Sequence, residues 1–266
     1  MSSDVVRPVD ERSLRERLAE LEQELAGTRE RLRNLQEIDQ IYTNFALAVS
    51  HELRTPLTLI SGYAQQLLLR WGNTDEERRY AMVEKINVSS HRLSRLIDDM
   101  LLITDVEVGD LPLHVKSVAL HEIVTEALDD LRDRCPRGLP AIEVCDAEAW
   151  VLADGFRLEQ VLICLLDNAV KHSPPQATVT VAWTREGDDV VIAVCDQGAG
   201  FDPADTARLF TRFGRVQSTM GQSHGGVGLG LYIARRLTEA MNGRIWADST
   251  RGAGSSFYVA LAGGER

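Results

Sequence analysis

A narrow leucine seam near the start of the chain limits what this sequence can fold into. Its positions follow one another in alternating steps of four and three, and Glu and Arg residues flank them: Leu14, Leu18, Leu21, Leu25, Thr28, Leu32 and Leu35. This heptad spacing predicts a parallel, dimeric coiled coil that begins near Glu11, after a disordered leader, whereas a solitary amphipathic helix is the simpler alternative. We favour the coiled coil because the seam is both narrow and sustained.

The helical pattern continues into the segment Ser50–Leu57, which reads Ser-His-Glu-Leu-Arg-Thr-Pro-Leu. His51 falls on the face away from the apolar residues, Glu52 follows it, and Thr55 lies one turn further on the face of the histidine. Pro56 has no N–H, so it should bend the helix just after this point. An exposed imidazole beside a carboxylate suits a reactive histidine, although a solvated His–Glu pair is the simpler interpretation of these eight residues.

The first helix is expected to end near Arg70, and the segment Trp71–Thr74 predicts a turn. A second helix should start near Asp75 or Glu76, with Thr74 as its N-cap. Two antiparallel helices joined by a short loop bury only half a core, so two copies are expected to pair into a four-helix bundle. The coiled coil and the helical hairpin therefore both predict a homodimer.

The composition of the chain changes after a linker that contains Gly109 and Pro112. Beyond it, short β segments alternate with helices, including a hairpin around Glu186–Asp188 and a helix that ends at Asn242-Gly243. The predicted fold class is therefore α+β with several domains. These are a leader and coiled coil at 1–40, a helical hairpin at 41–106, a linker at 107–114 and an α/β sandwich at 115–266.

Charge and composition exclude several classes of protein. The net charge of −11 argues against a nucleic-acid-binding protein, which would present a basic face. No apolar run is long enough to span a bilayer, and residues 1–10 lack the apolar core of a signal peptide, so a cytoplasmic protein is expected. The four cysteines are scattered without a C-x-x-C pair, so neither a disulfide framework nor a zinc site is predicted.

Two polar clusters in the second half of the chain carry candidate chemistry. Asn168 ends a predicted helix with an amide oxygen that suits Mg²⁺, and Lys171 offers a positive charge to phosphate, although a polar helix face is the simpler interpretation. Asp196 ends a predicted strand, where a carboxylate would accept from the amine of adenine and repel the carbonyl of guanine. Gly198 and Gly200 would let the backbone approach the base, unless the segment is an ordinary β-turn.

A third cluster, Gly225–Leu231, is rich in glycine and opens a predicted helix. Backbone amides at a helix N-terminus favour anions, so this cluster predicts a phosphate site, with a generic glycine-rich loop as the alternative. Upstream, the segment Phe210–Arg215 leads into a polar stretch at 216–224 that would form a mobile lid.

The order of these motifs closely resembles that of sensor histidine kinases. Their H, N, G1, F and G2 boxes and final glycine motif correspond in turn to Ser50–Leu57, Asn168, Asp196–Gly200, Phe210–Phe213, Gly226–Gly230 and Gly252–Phe257. The resemblance covers residues 41–266 or so. It implies that the helical hairpin serves dimerisation and histidine phosphotransfer, and that the C-terminal domain has the Bergerat ATPase fold.

The resemblance also implies roles for single residues. His51 would accept the γ-phosphoryl group of ATP, Glu52 would act as the general base, and Thr55 would orient water for dephosphorylation of a partner. Asn168 would hold Mg²⁺, Lys171 would contact phosphate and Asp196 would recognise adenine. The implied nucleotide site as a whole consists of Asn168, Lys171, His172, Asp196, Gly198, Gly200, Phe210, Arg212, Phe213, Gly226, Val227, Gly228, Leu229, Gly230 and Ser256.

The implied partners are a second copy of the chain and the receiver domain of a response regulator, whose aspartate would take the phosphoryl group. An upstream sensor would supply the signal, either as a partner or as part of a longer kinase. One departure stands out, because Cys164 occupies a position where this family often has a second Asn for Mg²⁺. Two alternatives therefore remain: a phosphatase-biased variant or pseudokinase, and a coiled-coil scaffold whose nucleotide domain switches conformation without phosphoryl transfer.

Overall fold

The structure is a computed structural model that describes residues 11–108, 111–134, 139–145, 147–174, 176–212, 214 and 228–266. Two compact units make up the chain, residues 1–51 and 52–266. Among the described residues, no helix combines the length and the apolar composition that a membrane span needs.

The first unit consists of the N-terminal part of helix α1, which as a whole spans Glu11–Arg70. The described leucines of the heptad seam are about half exposed in the single chain: Leu21, Leu25 and Leu32. Thr28 interrupts the seam, and its hydroxyl donates to the carbonyl of Glu24 over 2.8 Å. The other seam leucines lie outside the described side chains: Leu14, Leu18 and Leu35. An exposed apolar seam is what a coiled-coil partner would cover, and the coiled coil stays a prediction.

The second unit begins with a helical hairpin. Helix α1 continues through Pro56, which is buried, and ends at Arg70. A 3₁₀ turn at Trp71–Asn73 leads into helix α2, which spans Glu76–Val108. The guanidinium carbon of Arg79 lies 5.1 Å from the centroid of the Trp71 ring, so the start of α2 contacts the connecting turn.

The N-cap of α2 is Asp75, which corrects the sequence prediction of Thr74. The carboxylate of Asp75 accepts from the amide of Arg78 over 2.8 Å, as an N-cap side chain does. The hydroxyl of Thr74 instead donates to the carbonyl of Arg70 over 2.8 Å. Thr and Asp are both favoured N-cap residues, so residue type alone does not indicate which of the two caps α2. The position of the chain after the 3₁₀ turn makes Asp75 the cap.

In the described part of the C-terminal domain, seven strands form two sheets. Strands β1 (Lys116–Ala119) and β3 (Trp150–Ala153) form an antiparallel pair. The other five strands are β2 (Ala141–Val144), β4 (Thr178–Glu186), β5 (Asp189–Asp196), β6 (Arg244–Thr250) and β7 (Gly254–Ala262). They form one sheet in the order β2-β4-β5-β7-β6, in which β2 is parallel to β4 and the other neighbours are antiparallel. The antiparallel or mixed sheet expected from the sequence is therefore mixed.

The α-helices that the structure describes beside these sheets are α3 (Leu120–Arg134), α4 (Gly155–His172), the short α5 (Thr206–Leu209) and α6 (Gly230–Ala240). Helix α4 packs against α3, α6 and β5. Its residues Leu158, Leu162 and Leu165 are fully buried at helical spacing. The described chain thus has a helical region followed by an α/β sandwich, which confirms the predicted fold class.

Asp154 fixes the start of α4 and therefore the placement of Asn168 near its other end. Its Oδ1 accepts from the amide of Arg157 over 3.2 Å, which makes it the N-cap of α4. Its Oδ2 accepts from the amide of His114 over 2.8 Å. One buried carboxylate therefore caps the helix and ties it to the segment that precedes β1.

Candidate active site

The last two turns of α4 present the first group of candidate residues. Asn168 is partly buried, whereas Lys171 and His172 are exposed. Lys171 forms an ion pair with Asp167, one turn earlier in the same helix. The amide of Asn168 is the type of oxygen ligand that suits Mg²⁺. Among the described residues there is no group of three or more His, Cys, Asp or Glu residues that could hold a metal ion.

Asp196 lies at the end of β5 and is 6% exposed. Its Oδ1 accepts from the amide of Gly198 over 2.8 Å and from the amide of Ser255 over 3.3 Å. Its Oδ2 is buried and has no hydrogen-bond partner among the described residues. Burial raises the pKa of this carboxyl, and the hydrogen bonds from Gly198 and Ser255 oppose the rise.

The unpartnered Oδ2 of Asp196 fits an adenine nucleotide. A carboxylate oxygen only accepts hydrogen bonds, so a buried Oδ2 needs a donor. The exocyclic amine of adenine is such a donor, whereas guanine places a carbonyl oxygen at the same position of its ring. A cavity of about 310 Å³ opens beside Asp196, and it is also lined by residues of the β6–β7 hairpin, among them Ser249, Thr250 and Ser255.

The glycines of the G1 segment approach the protein's own backbone. A Cβ on Gly198 would lie 2.4 Å from the carbonyl oxygen of His172 at the end of α4. A Cβ on Gly200, whose φ is 62°, would lie 2.2 Å from the carbonyl oxygen of Thr250. Contact of these two glycines with the base stays a prediction, and the structure shows a further requirement for them. They let the loop after Asp196 pass between α4 and the β6–β7 hairpin.

Ser255 contacts Asp196 and was not among the candidate residues named from the sequence. The candidate chosen there was Ser256, but β7 pairs Ser255 with Asp196 and Ser256 with Cys195. The hydroxyl of Ser256 donates to the Sγ of Cys195 over 3.3 Å. Ser255 shares its face of the strand with the buried Phe257. Both serines line the cavity beside Asp196, so the assignment of Ser256 stays a prediction.

The F-box residues contact the domain itself. Phe210 is 6% exposed, and its ring is T-shaped against Phe257 with centroids 6.4 Å apart. The guanidinium carbon of Arg212 lies 5.5 Å from the centroid of the Tyr232 ring on α6. Phe213 lies outside the described residues. The contacts of Phe210 and Arg212 place residues 210–212 against the sheet and α6.

The described part of the G2 cluster leads into α6. Gly228 has a φ of 74°, Leu229 is 3% exposed and Gly230 is the first residue of the helix. A Cβ on Gly230 would lie 3.9 Å from the Sγ of Cys164 on α4. Leu229 is the N-cap, and its apolar side chain cannot accept from the amides of the first turn. Gly226 and Val227 lie outside the described residues.

The H-box residues lie on α1. His51 is exposed in the first unit, while Glu52 and Thr55 belong to the second. The side chain of Glu52 is 16% exposed, and its Oε2 accepts from Nη2 of Arg92 on α2 over 2.9 Å. Thr55 is exposed. Arg92 carries no motif in the sequence, so nothing there pointed to its contact with Glu52.

Two domain families match the chain. Residues 42–109 match the His Kinase A (phospho-acceptor) domain, and residues 153–263 match the histidine kinase-, DNA gyrase B- and HSP90-like ATPases. A phosphoacceptor hairpin followed by an ATPase domain of this type defines the class of two-domain histidine kinases. The chain belongs to the sensor histidine kinases of two-component systems.

Individual proteins that are similar to this chain are also histidine kinases. The chain is 36% identical over 222 residues to the circadian input-output histidine kinase CikA of Synechococcus elongatus, a match that covers 81% of this chain and 29% of CikA. It is 31% identical over 230 residues to the sensor histidine kinase WalK of Bacillus subtilis, covering 85% of this chain and 37% of WalK. The chain thus spans about a third of the length of these relatives.

A solved structure is similar as well. Full-length ShkA in complex with AMPPNP matches with a TM-score of 0.59 and 25% sequence identity, over 85% of this chain and 46% of that one.

Proposed function

We propose that this protein is an ATP-dependent histidine kinase that phosphorylates His51 and passes the phosphoryl group to an aspartate of a response-regulator receiver domain. The observation that carries the proposal is the carboxylate of Asp196. One of its oxygens is fixed by two backbone amides, and the other is buried without a donor among the described residues. The same chain carries an exposed histidine, His51, on α1. Family membership supports the same assignment.

In the proposed reaction, a ring nitrogen of His51 attacks the γ-phosphorus of ATP. A nitrogen–phosphorus bond forms, the bond from the γ-phosphorus to the β,γ-bridging oxygen breaks, and ADP leaves. The proton on the other ring nitrogen passes to the carboxylate of Glu52 and from there to solvent. The phosphoryl group then passes from His51 to a carboxylate oxygen of the receiver aspartate. An oxygen–phosphorus bond forms, the nitrogen–phosphorus bond breaks, and the ring of His51 takes a proton from solvent to regenerate the imidazole.

The chain's own residues would bind and orient the nucleotide. Asp196 would accept from the adenine amine, Lys171 would leave Asp167 for the phosphates, and the first turn of α6 would face their negative charge. Mg²⁺, when bound, would neutralise phosphate charge, and Asn168 would hold it. Cys164 lies beside the start of α6 and supplies no amide oxygen, so we infer that Asn168 and the phosphates suffice for the metal.

A homodimer is part of the proposal, because the hairpin exposes large apolar side chains on both of its helices. Leu57 and Leu68 of α1 are 54% and 84% exposed, and Leu101 of α2 is 60% exposed. A two-helix hairpin with so much exposed leucine surface is half of a four-helix bundle. A second copy of the chain would complete it.

A second candidate function is dephosphorylation of the receiver partner. Thr55 is exposed on α1, three residues after Glu52, in the H-E-x-x-T pattern that places a hydroxyl one turn after the histidine. If Cys164 weakens metal binding, this activity would dominate and give a phosphatase-biased variant.

A relay experiment tests the proposed function. The full chain is first incubated with Mg²⁺ and γ-labelled ATP and then freed of nucleotide. It is next mixed with individual receiver domains. The control for each receiver is a variant in which Asn replaces the acceptor aspartate. We expect acid-labile label on the kinase to move to at least one receiver as a base-labile acyl phosphate, and not to its Asn variant. Nucleotide binding without any label on the kinase would contradict the proposal. Accelerated loss of label from the receiver, abolished by Thr55→Ala, would support the phosphatase.

A further inference from the structure

The contact between Glu52 and Arg92 joins the two helices of the hairpin at the residue that follows the candidate phosphoacceptor. The Oε2 of Glu52 accepts from Nη2 of Arg92 over 2.9 Å, across forty residues of sequence. The side chain of Glu52 is 16% exposed, and that of Arg92 is 41% exposed. The carboxylate is therefore largely removed from water while the guanidinium still reaches it.

This pair differs from an ordinary surface ion pair on the same helix. Arg78 pairs with Asp75 over 3.4 Å at the start of α2, where the side chains are 78% and 59% exposed. Water solvates both groups there, so that pair contributes little. A largely buried carboxylate, by contrast, depends on a charged partner and on hydrogen bonds for its orientation.

We propose that Arg92 is a positioning residue for the phosphorylation of His51, because it fixes the carboxylate of Glu52 in one orientation and supplies its positive partner. The inference rests on the proposed function, in which Glu52 accepts the imidazole proton as the nitrogen–phosphorus bond forms. A general base acts only from a defined position and in its ionised form, and a carboxylate that loses a charged hydrogen-bond donor is held less firmly in that position. Arg92 therefore acts through Glu52 and takes no proton itself.

The first part of the test compares initial rates of acid-labile labelling by the full chain over a range of ATP concentrations. We expect Arg92→Gln to lower kcat by about tenfold and to leave KM for ATP within about twofold, because the change lies in proton transfer rather than nucleotide binding. Arg92→Lys should restore most of kcat, since an ammonium still pairs with the carboxylate. Arg78→Gln is the matched control and should behave as wild type. If the Arg92→Gln protein shows no thermal unfolding transition, Arg92→Met is measured in its place, because Met keeps an unbranched aliphatic side chain without the charge.

The second part is a double-mutant cycle that separates positioning from general stability. On a Glu52→Gln background, Arg92→Gln should lower the rate by less than about twofold, because the carboxylate on which it acts is gone. A tenfold loss on both backgrounds, or an Arg92→Lys rate equal to that of Arg92→Gln, would overturn the inference. If Glu52→Gln leaves no measurable label, the inference is tested by the rates of Arg92→Lys and Arg92→Gln alone, and equal rates would overturn it. No label on the wild-type chain would overturn the proposed function together with the inference, whereas a wild-type rate for Arg92→Gln would overturn the inference alone.

Discussion

The amide of Ser255 donates to Oδ1 of Asp196 over 3.3 Å, so the start of β7 holds one oxygen of the carboxylate that we propose for adenine recognition. The amide of Gly198 holds the same oxygen from the other side over 2.8 Å. The opposite oxygen, Oδ2, is buried without a partner among the described residues. Asp196 is thus oriented by the protein before any ligand binds.

The first prediction concerns nucleotide affinity. Asp196→Asn should raise the Kd for ATP by roughly 10- to 100-fold, because a charged acceptor is worth about 1.5–3 kcal/mol in a hydrogen bond. Isothermal titration with ATP measures the change. Asp248→Asn is the matched control, since Asp248 lines the same cavity but is exposed, and it should leave the Kd unchanged. Equal effects of the two variants would show that Asp196 contributes only general charge.

The second prediction concerns the stability of the ligand-free protein. Burial raises the pKa of Asp196, so the folded state binds its proton more readily than the unfolded state. The contribution of this group is therefore most favourable below its unfolded pKa, and it is lost as pH rises through the folded pKa. Relative to wild type, Asp196→Asn should raise the free energy of unfolding at pH 7, and the difference should shrink as pH falls towards 4. Denaturant unfolding at several pH values measures it, and a difference that grows towards low pH would contradict the assignment.

The third prediction concerns the G1 loop. Gly198→Ala should weaken ATP binding and destabilise the domain, because the new Cβ would lie 2.4 Å from the carbonyl oxygen of His172. A displaced loop would also break the Gly198 hydrogen bond to Asp196. The control is Gly72→Ala, where nothing lies within 4 Å of the added Cβ, and it should be close to neutral. Thermal melts and nucleotide titration together separate loss of fold from loss of affinity, and wild-type values for Gly198→Ala would refute the contact.

The fourth prediction concerns the cap of α4. Asp154→Ala should destabilise the C-terminal domain by about 1–2 kcal/mol, because it removes both an N-cap and the hydrogen bond to His114. Asp129→Ala removes an exposed carboxylate that pairs with Arg132, and it should cost less than about 0.5 kcal/mol. Urea unfolding followed by Trp fluorescence makes the comparison. Similar costs for the two variants would mean that the cap of α4 is not a structural determinant of the domain.

The fifth prediction concerns the metal. Asn168→Ala should abolish or strongly reduce Mg²⁺-dependent labelling, because it removes the amide oxygen assigned to the ion. Cys164→Asn should change the Mg²⁺ concentration for half-maximal labelling by less than about threefold, if Asn168 and the phosphates suffice. A large gain from Cys164→Asn would instead favour the phosphatase-biased alternative, since it would show that the native thiol limits the kinase.

Sequence patterns predicted those parts of the structure that depend on local rules. The span of α4, the strand Trp150–Ala153 and the C-terminal end of α6 follow from periodicity and from local turn chemistry. Asn242 has a φ of 60°, and the amide of Gly243 donates to the carbonyl of Thr238, as the Asn-Gly signal predicts. The order of the H, N, G1, F and G2 boxes and of the final glycine motif indicated the family.

The features that were missed depend on residues far apart in the sequence. Ser255 was overlooked because its pairing with Asp196 depends on the register between two strands some sixty residues apart. Arg92 was overlooked because its contact with Glu52 requires the relative rotation of two helices, which periodicity does not give. The close approaches at Gly198 and Gly200 likewise appear only once α4 and the β6–β7 hairpin are placed around the loop.

The central claim is that His51 accepts a phosphoryl group from ATP, and labelling with γ-labelled ATP and Mg²⁺ tests it most directly. The experiment compares the wild-type chain with His51→Gln and with the control His91→Gln. The control alters a different exposed histidine, which lies on α2. We expect acid-labile, base-stable label on the wild type and on His91→Gln, and none on His51→Gln. Label that survives in His51→Gln, or no label on any of the three while ATP still binds, would contradict it.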